Sequence, residues 1–317
     1  MSLHVKKYRT TDRVQLEQII LAAFLDDETM QEHARFGNEI TTPTRFKTLV
    51  ATFGDDPVGF ASFYQNRLHY HPHDFHVSLV TAPEFQRKGI GRKLHQALVD
   101  ALPYRLARLR VLASESSAGL FLEALHYRPL LRSFGPELPV QAVDLEKYQA
   151  VSGALEANGY TFRTLANLGA FDRGELVRLC LESYRDTHTH SPPTASEEVW
   201  DDIFLGEGCI DEAFFVALKD RSPVGFSGLR SGEQRGEMAS MWDGVASSER
   251  ALAFPLRLAL KLREVEYARN VGVQTLCWEV DSVDLVGMQL LETLPFRTPP
   301  AYQVWVCDLP APVSYSE

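Results

Sequence analysis

Two stretches in the first half of the chain hold residues whose types and spacing could do chemistry. The first is Val80-Thr81-Ala82-Pro83-Glu84-Phe85-Gln86-Arg87-Lys88-Gly89-Ile90-Gly91-Arg92, where a β-rich run ends and helical periodicity starts near the second glycine. A helix N-terminus leaves backbone N–H groups without intrahelical partners, and its dipole adds partial positive charge. Glycines at 89 and 91 let the backbone approach a bulky anion and reach conformations closed to other residues. With Arg87, Lys88 and Arg92 around it, such a loop suits a pyrophosphate. It lacks the Gly-Lys-Ser/Thr of the triphosphate loop and the third glycine of the dinucleotide fingerprint. The bland alternative is a tight strand-to-helix turn with a solvated basic face.

The second stretch is His69-Tyr70-His71-Pro72-His73-Asp74-Phe75-His76. In a regular strand Asp74, His76, Ser78 and Val80 share one face; a β-bulge would reassign the faces. His76 is the first candidate for a general base, because an imidazole titrates near neutral pH. Asp74 is the second, as base or as the group that orients His76. The same stretch also reads as a polar loop and strand start, or as a metal site, given its four histidines. Pro72 and the loop character count against preorganised ligation, so no metal is expected.

The elements that must position these residues follow from periodicity. Strands are expected at Leu3–Arg9, Phe46–Phe53, Val58–Tyr64, Phe75–Val80, Leu106–Ala113 and Leu130–Phe134. Helices are expected from Thr11-Asp12 to about Leu25, from about Ile90 with Ile90, Leu94, Leu98 and Leu102 on one face, and at Ala118–Leu125. A connecting helix spans Leu145–Ala157 and ends at Asn158-Gly159. The order then repeats: strand Tyr160–Ala166, helix Asp172–Arg185, strands Ala213–Lys219, Val224–Leu229 and Glu237–Val245, helix Leu256–Asn270, strand Gln274–Val280. The turns Gly-Asp-Asp-Pro-Val-Gly-Phe and Lys-Asp-Arg-Ser-Pro-Val-Gly-Phe fall at the same place in both halves. The expectation is an α/β (α+β) chain built by duplication: an N-terminal domain at 1–143, a connecting helix at 144–159 and a C-terminal domain at 160–317.

Val-x-x-Pro, then Gln-x-x-Gly-x-Gly and an amphipathic helix, resembles the acyl-CoA motif of the GNAT N-acetyltransferase superfamily. The resemblance covers roughly residues 3–135 in strand-helix order. It implies a mixed, mostly antiparallel central sheet flanked by helices, acetyl-CoA as acyl donor, and transfer of an acetyl group to a primary amine on a small-molecule or peptide acceptor. It further implies that Leu79 and Val80 hold the pantetheine arm and acetyl carbonyl through their backbone. The amides from Arg87 through Lys88, Gly89, Ile90 and Gly91 to Arg92 would hold the pyrophosphate. The family often has an Asn contacting the cofactor where this chain reads Glu115-Ser116-Ser117, so Ser117 stands as a substitute. It commonly places a Tyr general acid where this chain has Leu122. Acid assistance then comes from Tyr70 or Tyr127, or is absent, and a non-catalytic acyl-CoA-binding or interaction module is the rival reading.

Aligning Arg250 with Gln86 puts Ala253 under Gly89 and Pro255 under Gly91. Proline has no N–H to offer a phosphate, so the second half resembles a degenerate GNAT domain and the whole chain a tandem-GNAT protein.

Bulk properties frame this reading. The 317 residues carry a formal charge of −10, which argues against a nucleic-acid partner and suits an amine-bearing substrate. No apolar run reaches the length of a membrane span, and Met1–Lys7 lacks the core of a signal peptide, so a cytoplasmic, membrane-free protein is expected. The sequence sets no oligomeric state.

Overall fold

A computed structural model describes residues 2–36, 43–66, 73–103, 107–114, 118–169, 173–190, 192–206, 208–232, 234–298 and 301–309. The chain forms two compact units, residues 1–131 with 302–317, and residues 132–301. Each is a mixed sheet flanked by helices, the tandem α/β architecture that the duplicated strand-helix order implies.

In the first unit the sheet runs β1 (Leu3–Lys7), β2 (Pro43–Phe53), β3 (Asp56–Asn66), β4 (Asp74–Thr81), β5 (Arg108–Ser114), then the C-terminal strand Tyr302–Asp308 and β6 (Arg128–Phe134). Pairing is antiparallel from β1 to β4 and between β5 and the C-terminal strand, whereas β4 and β5 are parallel. Helix α1 (Arg13–Ala23) covers one face, where Leu16, Ile19 and Ile20 pack on Val50, Phe60 and Val80. Helices α3 (Ile90–Asp100) and α4 (Gly119–Glu123) cover the other, over Leu49, Ala61, Phe75 and Val77. A short α2 (Glu28–His33) follows α1. Of the stripe read from four-residue spacing, Ile90, Leu94 and Leu98 are buried, each contributing about 1.5–3 kcal/mol, while Leu102 lies past the helix end and is half-buried. Asp12 stands at the start of α1, but its carboxylate turns back to the Arg9 amide at 2.9 Å and the Lys6 ammonium at 2.7 Å instead of capping the helix.

The second unit orders its main sheet as β7 (Glu137–Pro139), β13 (Thr275–Cys277), β11 (Glu237–Ser240), β10 (Ser222–Ser231), β9 (Phe214–Lys219) and β8 (Tyr160–Thr164). The two-residue β12 (Gly244–Val245) also pairs with β10, and β14 (Val280–Asp281) pairs with the end of β6. Its helices are α5 (Leu145–Ala157), α6 (Arg173–Thr187), α7 (Glu197–Leu205), α8 (Ala253–Asn270) and α9 (Leu285–Thr293). The expected connecting helix is α5, capped by Asp144, which accepts from the amides of Glu146 and Lys147. Gly159 follows it with a φ of 86°, open to glycine. Asp172, read as the opener of α6, lies outside the described residues.

Among the departures from the sequence reading, the strand expected over Gln274–Val280 divides into β13 and β14, which pair with different strands, and α7 and α9 had no counterpart in it. The strand expected over Glu237–Val245 is broken: Ser240 pairs with Leu229 and Gly244 with Phe226, so three residues, 241–243, face two on β10. That one-residue excess is a β-bulge. The sequence division also runs at residue 143 and keeps the C-terminus in the second half, whereas the first compact unit ends at Leu131 and takes in the C-terminal strand. The physical reason is a seven-rung ladder, from Tyr302↔Ser114 to Asp308↔Arg108, that ties the strand to β5.

Candidate active site

Among the described residues β4 and β5 share three rungs, Asp74↔Arg108, Phe75↔Leu109 and His76↔Arg110. β4 then continues to Thr81 and β5 to Ser114, so beyond His76 and Arg110 the two strands part and turn backbone edges toward each other. A pocket of about 840 Å³ opens there, lined by Val77–Thr81 on one side and Val111–Ser114 on the other. One end reaches Gln86, Arg87, Gly89, Ile90, Gly91 and Arg92; another reaches Phe24–Asp27, Met30, His33, Tyr64, His76 and Arg110. Leu79 and Val80 lie along its wall. A strand edge that has lost its ladder keeps N–H and C=O groups to offer, which suits an amide-bearing chain in the gap.

The loop before α3 has the conformation that anion binding needs. Arg87 has a φ of 61° and Gly89, the N-cap of α3, a φ of 78°, so left-handed residues alternate with their neighbours and turn successive amides inward. The first intrahelical bond in this turn is Lys93 N–H to Gly89 carbonyl at 3.1 Å, leaving Ile90, Gly91 and Arg92 amides ahead of it. Gln86 anchors the loop, its Nε2 donating to the Thr81 carbonyl at 3.3 Å. A Cβ on Gly91 would sit 3.1 Å from the Phe121 ring, so this glycine answers a close approach to α4. Lys88 departs from its expected place: its ammonium turns back to the Glu84 carbonyl at 2.9 Å and over the Phe85 ring, and it does not line the pocket.

At the other end, the β3–β4 register is unbroken from Gly59↔Thr81 to Tyr64↔His76, so no bulge reassigns the faces on this side. Tyr64 and His76 stack with centroids 5.2 Å apart. Ser78, on the same face, donates to the His33 carbonyl at 2.9 Å and accepts from the Arg35 amide at 3.1 Å, and the Ser62 hydroxyl donates to the Arg35 carbonyl. These bonds hold the end of α2 over the strands. Asp27 caps α2 through the Met30 amide at 3.0 Å and accepts the Tyr302 hydroxyl at 2.8 Å. Asp74 is buried and is not among the residues that line the pocket.

Burial, and after it the charges of Arg110 and His33, push His76 down to about 3. The imidazole is therefore neutral across the physiological range. When unfolded, His76 takes up a proton near its ordinary 6.5; the folded chain refuses it until about 3. Its contribution to stability is thus complete above about pH 6.5 and shrinks as the pH falls toward 3. His76→Gln should then show a smaller drop in melting temperature between about pH 7.5 and 5.5 than the parent chain. Equal drops in the two proteins would contradict this.

Tyr127 and His95 line the pocket and share a hydrogen bond, hydroxyl to Nε2, at 3.1 Å. Burial pushes the Tyr127 hydroxyl up and the His95 imidazole down, so the pair is neutral. Leu122 is apolar and buried against them. Tyr70 and Ser117 lie outside the described residues. No group of three or more His, Cys, Asp or Glu among the described residues is arranged to hold a metal, and no described helix is long and apolar enough to cross a membrane.

In the second unit Phe254, Leu258 and Leu262 take the places of Ile90, Leu94 and Leu98 in the core. Ala253, under Gly89, has an ordinary helical φ of −57°. A buried ion network ties α8 to its surroundings. Arg257 is buried and bridges Asp243 at 2.5 Å, under Leu79 in the same alignment, to Asp284 at 2.6 Å, the cap of α9. Lys261, also buried, meets Glu264 at 2.8 Å and Asp243 at 3.4 Å and lies over the Trp278 ring. Burial pushes the Glu264 carboxyl up. Proline at 255 marks in the sequence that this turn lacks an N–H there; the ion network gave no such signal.

Residues 13–127 match the acetyltransferase (GNAT) family. The fold is similar to that of a GCN5-related N-acetyltransferase from Sphaerobacter thermophilus, with a TM-score of 0.63, 16% identity, and 97% of this chain and 96% of that one covered. It is also similar to a tandem GNAT protein from the clavulanic acid biosynthesis pathway, with a TM-score of 0.60, 16% identity, and 98% and 99% covered. At such identities the likeness is one of fold. No curated protein matches the sequence. The parted strands and the glycine loop therefore belong to a GNAT-family domain over residues 13–127. The chain is a tandem GNAT-fold protein, a scaffold that supports N-acyl transfer in general.

Proposed function

We propose that this chain is an N-acetyltransferase that moves the acetyl group of acetyl-CoA to a primary amine of a small-molecule or peptide acceptor. The observation that carries the reading is the parting of β4 and β5 into a pocket that also reaches the α3 N-terminus. The pyrophosphate rests on the amides from Arg87 to Arg92, and the pantetheine arm lies along Leu79 and Val80. The acetyl carbonyl sits in the strand gap, where a backbone N–H stabilises the negative charge that builds on it. The amine nitrogen attacks that carbonyl, the C–N bond forms, the C–S bond breaks, and CoA leaves as thiol. The proton lost by the amine leaves through water, with the neutral His76 as a hydrogen-bond acceptor along that path and Asp74 two residues away on the same face as its support. Tyr127, whose hydroxyl keeps its proton, is the donor to the leaving sulfur. Holding the two reactants together supplies several kcal/mol of the barrier. The first unit is the catalytic one, and its acceptor side is walled by α2.

Thiol release from acetyl-CoA over a panel of primary amines, with mass spectrometry of the products, tests this. Acetylated amine and stoichiometric CoA are expected. Tight CoA binding without turnover on any amine would instead favour a non-catalytic acyl-CoA-binding module, for which the apolar Leu122 is the specific argument.

A further inference from the structure

We infer that Tyr302, carried back to the first sheet by the C-terminal strand, is a positioning residue of the acceptor side. It and Ser78 tie the two ends of α2 across the parted strands, which makes α2 a fixed roof under which the amine is presented. This deepens the acetyl-transfer reading and rests on it.

The strand order around the gap is β4, β5 and the C-terminal strand, so β5 lies between the two strands that hold α2. At one end the Tyr302 hydroxyl donates to the Asp27 carboxylate at 2.8 Å, and the Thr29 side chain reaches the same hydroxyl. Asp27 caps α2 through the Met30 amide at 3.0 Å, so Tyr302 holds the first turn by its capping residue. Tyr302 pairs with Ser114, the last residue of β5 and part of the pocket wall, which puts this anchor at the parted end of β5. At the other end Ser78 donates to the His33 carbonyl at 2.9 Å and accepts from the Arg35 amide at 3.1 Å. Ser78 stands on β4 two residues past His76, where the ladder to β5 has ended. A helix the length of α2 extends about 9 Å, close to two inter-strand steps of about 4.8 Å each, so it has the reach of this span. Met30 and His33 of α2, with Asp27 and Ala34 at its ends, line the pocket. α2 has six residues and buries one side chain, Met30. A helix that short is marginal in water, so its place is set by the strands that hold it. An acceptor amine lying in the gap therefore meets a wall whose position depends on Tyr302 and Ser78.

The first test is kinetic, with phenethylamine and isopentylamine as acceptors at saturating acetyl-CoA. Tyr302→Phe keeps the ring and removes the hydroxyl. It should raise KM for the amine about tenfold, as loss of a hydrogen bond to a carboxylate gives, with kcat within about twofold. The split follows because a wall that holds ground state and transition state alike acts on KM. Ser78→Ala, at the opposite anchor, should raise the same KM. Retained CoA affinity shows that each variant is folded. Hydrogen exchange of the CoA complex reads the roof without turnover. In Tyr302→Phe the amides from Gln31 to Arg35, beside the untouched Ser78, should exchange about tenfold faster, while those of Ile90–Asp100 keep the parent rates. An amine KM unchanged in either variant, or parent-like exchange at Gln31 to Arg35 in Tyr302→Phe, would overturn the inference. If no amine is acetylated, the transferase reading fails, and the exchange measurement still decides whether Tyr302 holds α2.

Discussion

Gly89→Asp is expected to weaken CoA binding by about a hundredfold or more, whereas Ala253→Asp should leave it within about twofold, both read by calorimetric titration with CoA. Gly89 is the N-cap of α3 and holds a φ of 78°, a region that costs an ordinary side chain roughly 1–2 kcal/mol. Space is not the obstacle, since a Cβ there meets nothing within 4 Å. The larger effect is electrostatic: a carboxylate placed among the amides proposed to face the pyrophosphate repels it. Gly89→Asn separates the two causes, because asparagine tolerates the left-handed region and carries no charge. It should keep most of the affinity that the aspartate loses. Ala253 opens α8 with helical angles, two residues before a proline that has no N–H to offer, so a carboxylate there is expected to meet no ligand phosphate. A greater loss from Ala253→Asp than from Gly89→Asp would move the cofactor to the second unit.

Arg257→Met should lower the stability of the second unit by about 3–5 kcal/mol while leaving CoA affinity at 25 °C unchanged. The guanidinium is buried and bridges Asp243 and Asp284; removing it leaves Asp284 with its helix-cap amide and Asp243 with Lys261 at 3.4 Å, and one buried positive charge fewer between them. Burial pushes the Asp284 carboxyl up, but hydrogen bonds and charge from Arg257 outweigh it and hold that group below its usual range. That stabilisation is present above the ordinary carboxylate pKa and is lost as the pH falls through the lowered folded value. The gap between parent and variant should therefore narrow in acid. Urea unfolding followed by tryptophan fluorescence at about pH 7 and about pH 4 measures both, fitted with separate transitions for the two units because one two-state transition is not assumed. An unchanged transition at neutral pH would mean that the bridge does not hold the second unit together.

The contrast between the copies explains why only part of the site was legible. The loop from Gln86 to Gly91 encodes its geometry locally: glycine permits the left-handed N-cap, and the next turn's apolar spacing fixes which way the helix faces. Pro255 announces the loss of that loop just as locally. Arg110 gave no such signal, because its place beside His76 depends on the register of two strands more than thirty residues apart in sequence. His76 shows the limit from the other side. Its residue type was read correctly as an imidazole on the face shared with Ser78 and Val80, but the reason for choosing it, a pKa near neutrality, fails once burial and two cations act on it.

The sequence by itself therefore determined the duplicated strand-helix order, the glycine loop ahead of α3 and the proline in the matching turn of the second half, since each depends on backbone preferences and periodicity within a few residues. Tertiary structure alone decided the rest. The strands part after three rungs, α2 is held over them through Ser78 and Ser62, and the C-terminal strand completes the first sheet. Arg257 and Lys261 both meet Asp243 in the interior of the second unit. These features depend on which distant segments pair, and a ladder of hydrogen bonds records its partner only when the two strands meet.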